Sequence, residues 1–363
     1  METTHQIFFK NSNDMCEIES NSIDLIITSP PYPMIEMWDE IFASQNEEIK
    51  TTLELGDGLL AFEKMHDELD KVWREVYRIL IPGGITCINI GDATRTINKN
   101  FQLFPSHARI ITAFQKLGFQ NLPEILWRKQ TNAPNKFMGS GMLPPGGYVT
   151  LEHEYILIFR KGKKREFKTK ELKENRSESS YFWEERNSWF SDVWDFKGIS
   201  QDLNNKETRK RSAAYPFELA YRLINMFSVR NDTILDPFLG TGTTSLSAMV
   251  SERNSIGYEV DKNLEDIIKE RFLKVVFFGN KYIEDRINSH ISFINDRIKQ
   301  KGPNKYINEN LNFSVITSQE QQLKFNKLDS IKKLNQEYVI RYKEIEKNSK
   351  SDKINEKIEL NFF

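Results

Sequence analysis

Asp24-Leu-Ile-Ile-Thr-Ser-Pro-Pro-Tyr-Pro33 is an apolar run that ends on a polar pair and prolines. Leu25-Ile26-Ile27 reads as a short buried strand. Pro30-Pro31 stops it, because neither proline can donate a ladder hydrogen bond. Thr28, Ser29 and Tyr32 therefore fall just past the C-terminal end of a strand, the edge of an open α/β sheet where ligands bind. The prolines fix φ and present backbone carbonyls from a rigid turn. A short polar side chain before them and a ring after them can hydrogen-bond a planar amine and stack on the ring that carries it. An ordinary Pro-Pro turn explains this stretch equally well on its own.

A second stretch, Thr233-Ile-Leu-Asp-Pro-Phe-Leu-Gly-Thr-Gly-Thr-Thr244, reads as strand, acidic residue, glycine loop and helix start. The glycines let a ligand approach the backbone, and the helix offers free N–H groups. Gly240-Thr-Gly242 is neither a P-loop nor the full dinucleotide fingerprint. As a pair, the two stretches resemble the amino-methyltransferases that modify exocyclic amines in DNA. That family's catalytic signature is Ser/Asp-Pro-Pro-Tyr, and its S-adenosylmethionine signature is Asp-Pro-Phe-x-Gly-x-Gly-Thr. Here the catalytic stretch comes first, the permuted order of the family's β class. The resemblance runs over roughly residues 7 to 275.

It implies an α/β methyltransferase fold, a mostly parallel seven-stranded sheet with helices on both faces. It implies catalytic roles for Ser29, Pro30, Pro31 and Tyr32. Asp236, Pro237, Phe238, Gly240, Thr241, Gly242 and Thr243 would hold S-adenosylmethionine. Glu259, near the end of the predicted strand Ser255–Val260, can accept hydrogen bonds from both ribose hydroxyls, with Asp261 as fallback. Family members commonly carry an acidic residue after the first strand. This chain has Lys10-Asn-Ser-Asn13 there, so no cofactor contact is carried over to it.

A chain of 363 residues holds one large domain or two smaller ones, and 39% hydrophobic residues can build a core. A net charge of −1 carries no global nucleic-acid signature, so a DNA surface has to be a local basic patch. Two cysteines, Cys16 and Cys87, exclude a disulfide scaffold and fit a reducing compartment. Both read as buried apolar fillers. There is no signal-peptide pattern and no apolar run of membrane-spanning length, so the expectation is a cytoplasmic protein. No residue pattern calls for a metal.

Leu60 to Leu80 has helical apolar spacing and reads as a core face ended by Pro82-Gly83-Gly84. Ile85–Ile90 and Glu124–Arg128 read as strands, Pro105–Leu117 as a helix. Trp38 reads as core rather than as a flank of the DNA path, and Asp92 as an Asx turn rather than an orienting group. Lys129 to Thr150 is a long loop rich in Gly, Pro, Asn and Met, and includes Lys136. Loops of this length are commonly functional. Glu152–Phe159 returns as a strand. A basic stretch with Lys163, Lys164 and Arg165 follows, then aromatics at Tyr181, Phe182, Trp183, Trp189, Phe190 and Trp194. Basic residues bind phosphate and aromatics pack or stack.

The resulting division is a catalytic half at 1–160 and a target-recognition region at 161–212. A cofactor-binding half at 213–278 and a helical extension at 279–363 complete it. DNA contacts are assigned to Lys163, Lys164, Arg165 and Lys136. Ser29 in the first position of the turn implies, by family habit, N4 of cytosine in double-stranded DNA, with adenine N6 as the alternative. C5 methylation is disfavoured because neither cysteine is placed at the turn. A restriction endonuclease acting on the same site is the expected partner. An RNA amino-methyltransferase and a catalytically silent DNA-binding protein remain open alternatives.

Overall fold

The computed structural model describes residues 1–129, 138–198, 215–334 and 337–345. Lys136 and the end of the assigned target-recognition region, 199–212, lie outside them. The main-sheet strands are β1 (Glu2–Phe8), β2 (Ile23–Thr28), β3 (Leu80–Ile90), β4 (Phe119–Asn121), β5 (Ile125–Arg128) and β6 (His153–Lys161). They continue with β7 (Val193–Asp195), β8 (Thr233–Asp236), β9 (Asn254–Tyr258), β10 (Asn326–Leu334) and β11 (Glu337–Glu344).

Their order is β7-β5-β6-β3-β2-β8-β9-β1-β11-β10, with β4 pairing on β6. The five central strands, β3-β2-β8-β9-β1, run parallel. Next to them, β6 is antiparallel to β3 and to β5. The expected seven-stranded sheet is thus present as β1-β9-β8-β2-β3-β6-β5, extended by β7 at one edge and by the β10–β11 hairpin at the other.

Parallel strands covered on both faces read as near-continuous apolar runs, and β2 is of that kind. Its Ile26 joins one core with Ile88 and Leu235, under the helix Gly58–Ile79. Asp57 caps that helix by accepting from Leu60 N at 3.1 Å. Leu25 and Ile27 join the opposite core with Ile234 and Ala248, under the helices Phe217–Phe227 and Thr243–Val250. Because β2 and β8 are neighbours, the two quoted stretches end side by side at one sheet edge.

Three expectations need correction. The region 279–363 is not purely helical: the helix Val275–Lys301 is followed by the β10–β11 hairpin. Tyr338, Ile340 and Tyr342 are buried at alternate positions, the period of a strand. Pro82-Gly83-Gly84 lies inside β3, whose register with β2 shifts between Ile23 and Leu25. Cys87 is buried as expected, but Cys16 is exposed.

Candidate active site

Past the C-terminal ends of β1, β2, β8 and β9 lies a cavity of about 1210 Å³, counted to its open mouth. Ser29, Pro30, Pro31 and Tyr32 line one side, and Pro237, Phe238, Gly240, Thr241, Thr243 and Glu259 another. Residues far apart in sequence therefore face one space. The walls also include Lys10, Asn11 and Ser12, to which no contact was assigned, and Trp38, Glu68, Leu69 and Val72. The helix expected to be all core thus lends one stripe to the cavity. Trp38 packs on the core with part of its surface and lines the cavity with the rest.

The catalytic turn is fixed by a hydroxyl–carboxylate chain. Ser29 Oγ donates to Tyr32 Oη at 3.2 Å, and Tyr32 Oη donates to Glu154 Oε2 at 3.0 Å. Asn89 Nδ2 donates to both, at 2.9 Å to Tyr32 and 2.7 Å to Glu154. Lys129 pairs with the other Glu154 oxygen. Burial, then the Glu154 charge, pushes the Tyr32 phenol well above its ordinary range. A Cβ on Gly91 would come within 3.0 Å of the Tyr32 ring, so the ring needs a glycine beside it. Met34, right after the turn, is held at φ 67°, a conformation a methionine rarely adopts.

Asp236 has a different role from the one its motif implies. Its carboxylate accepts from Thr28 Oγ1 at 2.6 Å, Phe238 N at 3.0 Å and Tyr215 Oη at 3.1 Å, and from Thr244. With four donors and 2% exposure it is a buried hub that ties the catalytic turn to the glycine loop. It does not line the cavity. Gly242 also faces away: a Cβ there would meet Phe272 at 2.9 Å. Gly240, at φ 56°, is the glycine whose Cβ would project into open space. Glu259 accepts from Gly240 N at 2.7 Å and from Asp261 N at 2.8 Å. Burial raises its carboxyl to about 7. Asp261 caps the next turn by accepting from Asn263 N at 3.0 Å.

A profile of DNA methylases matches residues 23–270. The chain belongs to that family. It is 54% identical to the Type II methyltransferase M.MthZI of Methanothermobacter thermautotrophicus, over 98% of this chain and 100% of that one. It is 50% identical to the Type II methyltransferase M.MjaI of Methanocaldococcus jannaschii, over 81% of this chain and 97% of that one. Among solved structures, TTHA0409 of Thermus thermophilus, complexed with S-adenosyl-L-methionine, matches at a TM-score of 0.57 and 32% identity. That match covers 75% of this chain and 95% of TTHA0409.

In this methylase Lys163, Lys164 and Arg165, predicted to bind phosphate, do not join the site. Arg165 pairs with Asp232 at 2.7 Å and with Asp24 at 3.2 Å, both at the N-terminal ends of their strands. A Cβ on Gly83 would meet Lys163 O at 3.0 Å, which puts Lys163 at the same end. Lys163 and Lys164 are exposed there. A strand of this length holds them about 20 Å from the catalytic turn. Of the aromatics after the basic stretch, Phe182, Trp189 and Trp194 are buried, Phe182 stacking on His290 at 3.7 Å, whereas Trp183 and Phe190 stay exposed.

Asn89, Gly91, Lys129 and Glu154 are the site residues that the motifs missed. Glu154 stands in a predicted strand, but only the antiparallel run of β6 beside β3 brings its first residues to the catalytic edge. In place of the expected Asx turn, Asp92 reaches across to the first turn of the helix Ser106–Leu117, accepting from His107 N at 3.1 Å and sharing a hydrogen bond with the His107 ring at 2.8 Å. Among the described residues no cluster of His, Cys, Asp and Glu could hold a metal, and no helix is long and apolar enough to cross a membrane.

Proposed function

We propose that this chain transfers a methyl group from S-adenosylmethionine to N4 of a cytosine flipped out of double-stranded DNA. The observation that carries the reading is one cavity with the Ser29–Tyr32 turn on one wall and Gly240 with Glu259 on another. The residues fit the cofactor: Gly240 leaves room at the loop, Phe238 and Val260 add apolar surface, and Glu259 offers a carboxylate to a ribose diol. S-adenosylmethionine supplies an electrophilic methyl group. The solved relative TTHA0409 holds that molecule.

The exocyclic amine is a weak nucleophile, because its lone pair is delocalised into the ring. Ser29 Oγ donates to Tyr32, which leaves its lone pairs to accept an amine hydrogen. The Pro30 carbonyl accepts the other. Both bonds favour a more tetrahedral, more nucleophilic nitrogen. The nitrogen gains positive charge as its new bond forms, and it must then lose a proton. Glu154 is the carboxylate at the end of the Ser29–Tyr32 chain, so it stabilises that charge and draws the proton outward. With its hydroxyl tied down, the Tyr32 ring offers a face for the base to stack on. Unstacking the base costs a few kcal/mol.

The DNA meets the C-terminal edge of the sheet rather than the basic stretch. Two ribbons flank the site there, Ala93–Ile97 with Asn100–Phe104 and Met138–Gly139 with Gly147–Tyr148. Phe101 stacks on Tyr148 at 4.2 Å and joins them. The Type II relatives support a restriction-modification role, and we extend it to a partner endonuclease for the same sequence and to action in the cytoplasm. Nucleoside mass spectrometry of duplex DNA methylated by the pure protein tests the reading. N4-methylcytosine is the expected product. N6-methyladenine alone would replace the base and keep the turn's chemistry, and methylation of RNA but not DNA would overturn the substrate.

A further inference from the structure

Arg271 sits on the helix Glu265–Leu273, behind the glycine loop. Its guanidinium donates to the Thr241 carbonyl at 2.6 Å, to Thr241 Oγ1, and to Thr243 Oγ1 at 3.3 Å. Among the described residues no carboxylate pairs with it. Arg253, more deeply buried, likewise donates only to a hydroxyl and carbonyls, but the nearby charges of Asp232 and Glu252 act on it. Arg165, Arg230 and Arg286 each hold a carboxylate at 2.7 Å. A cation taken out of water without a partner is costly, so its retention here calls for an anion that completes it. Burial pulls Arg271 below the usual arginine range, the direction expected of an uncompensated cation.

Three features converge on the same part of the cavity. Thr241 and Thr243 line it. A hydroxyl that accepts from a guanidinium turns its own hydrogen away from it, so Thr243 is left as a donor. The helix Thr243–Val250 begins at the same point, with its unpaired N–H groups. Positive charge, a hydroxyl donor and a helix start together suit a carboxylate.

We propose that Arg271 is a positioning residue for the α-carboxylate of the cofactor's amino-acid tail, acting through Thr241 and Thr243. This rests on the placement of S-adenosylmethionine in the cavity. Arg271 does not touch the reacting atoms. Its work is to fix the tail, and thereby the line of the methyl group towards Ser29.

The test compares two ligands by calorimetry. S-adenosylhomocysteine carries the amino-acid tail, and 5′-methylthioadenosine lacks it. Arg271→Gln should weaken S-adenosylhomocysteine by about tenfold, the scale of one charge–charge interaction in a half-buried site. It should leave 5′-methylthioadenosine within about twofold. Arg271→Lys should restore most of the loss. If Arg271→Gln does not fold, Thr243→Val reads the same contrast between the two ligands. Equal loss for both ligands would make Arg271 a loop brace only and overturn the proposal, as would no loss for either. Glu259→Gln serves as the control for the placement itself: it should weaken both ligands, and no effect on either would displace the cofactor reading instead.

Discussion

The two edges of the central sheet handle buried charge in opposite ways. At the N-terminal edge, cations and carboxylates neutralise one another: Arg165 with Asp232 and Asp24, and Arg230 with Glu178 and Glu252. At the C-terminal edge, charge is led through hydroxyls to an open cavity: Glu154 through Tyr32 to Ser29, and Arg271 to Thr243. The first arrangement is closed and holds strand ends. The second leaves lone pairs and hydrogens for a ligand. A charge-rich sequence is therefore no guide to where a ligand binds: Arg165 is spent on two strand-end carboxylates, whereas Glu154, paired with Lys129 through one oxygen, keeps the other for the hydroxyl chain.

The largest expected effect tests the open edge. Glu154→Gln keeps shape and removes charge, and should lower single-turnover methyl transfer by about 100-fold, the low end for loss of a group that handles a proton. Calorimetry should show cofactor affinity unchanged. A rate within twofold or so of the parent would detach Glu154 from the chemistry.

Arg165→Ala tests the closed edge and should act on stability alone. It leaves Asp232 buried without its partner. With the arginine partly open to solvent, the loss is about 2 kcal/mol, below that of a fully buried pair. Denaturant titration measures it. A change in DNA affinity at constant stability would return this edge to the DNA.

A third expectation concerns pH. An unfolded glutamate titrates near 4.5, whereas folded Glu259 holds its proton to about 7. In that window the folded protein binds more protons, so its contribution to stability falls as pH rises through about 7 and is flat above. On the proposed placement ribose hydroxyls would donate to the ionised carboxylate, so cofactor affinity should rise with pH across the same window. Glu259→Gln should flatten both trends. Calorimetry in buffers of different ionisation enthalpy should detect proton release on binding near pH 7. Affinity that falls with pH would reverse the assignment.

The smallest effect is expected from Lys163 and Lys164. Neutralising both should leave the salt slope of DNA binding unchanged, whereas each lost phosphate contact would lower it by about one.

The fold was legible because its decisive elements are local. Leu25-Ile26-Ile27 and Ile234-Leu235 are apolar runs ended by turn residues, and their meeting at one edge follows from the parallel order. The turn at 29–32 and the glycine loop were readable only as a pair, through the resemblance they carry together, since each alone has an ordinary explanation. Glu154 was not, because its part depends on β6 running antiparallel beside β3, which brings its first residues to Tyr32. Asp236 and Gly242 were read as ligand contacts because a motif records that residues are needed, not which way they face. The β10–β11 hairpin was hidden by Lys and Glu on its exposed side, which resemble those of a solvated helix.

The bond from Thr28 to Asp236 joins residues 208 apart in the chain. It therefore bears on how the molecule comes into being. During synthesis β2 emerges long before its neighbour β8, and the N-terminal portion has to wait with one side of β2 unpaired. Closing so large a loop is slow, and an open strand edge invites pairing with other chains while it lasts. The catalytic turn and the glycine loop should thus become ordered together and late, so that no partly made chain carries half of a working centre.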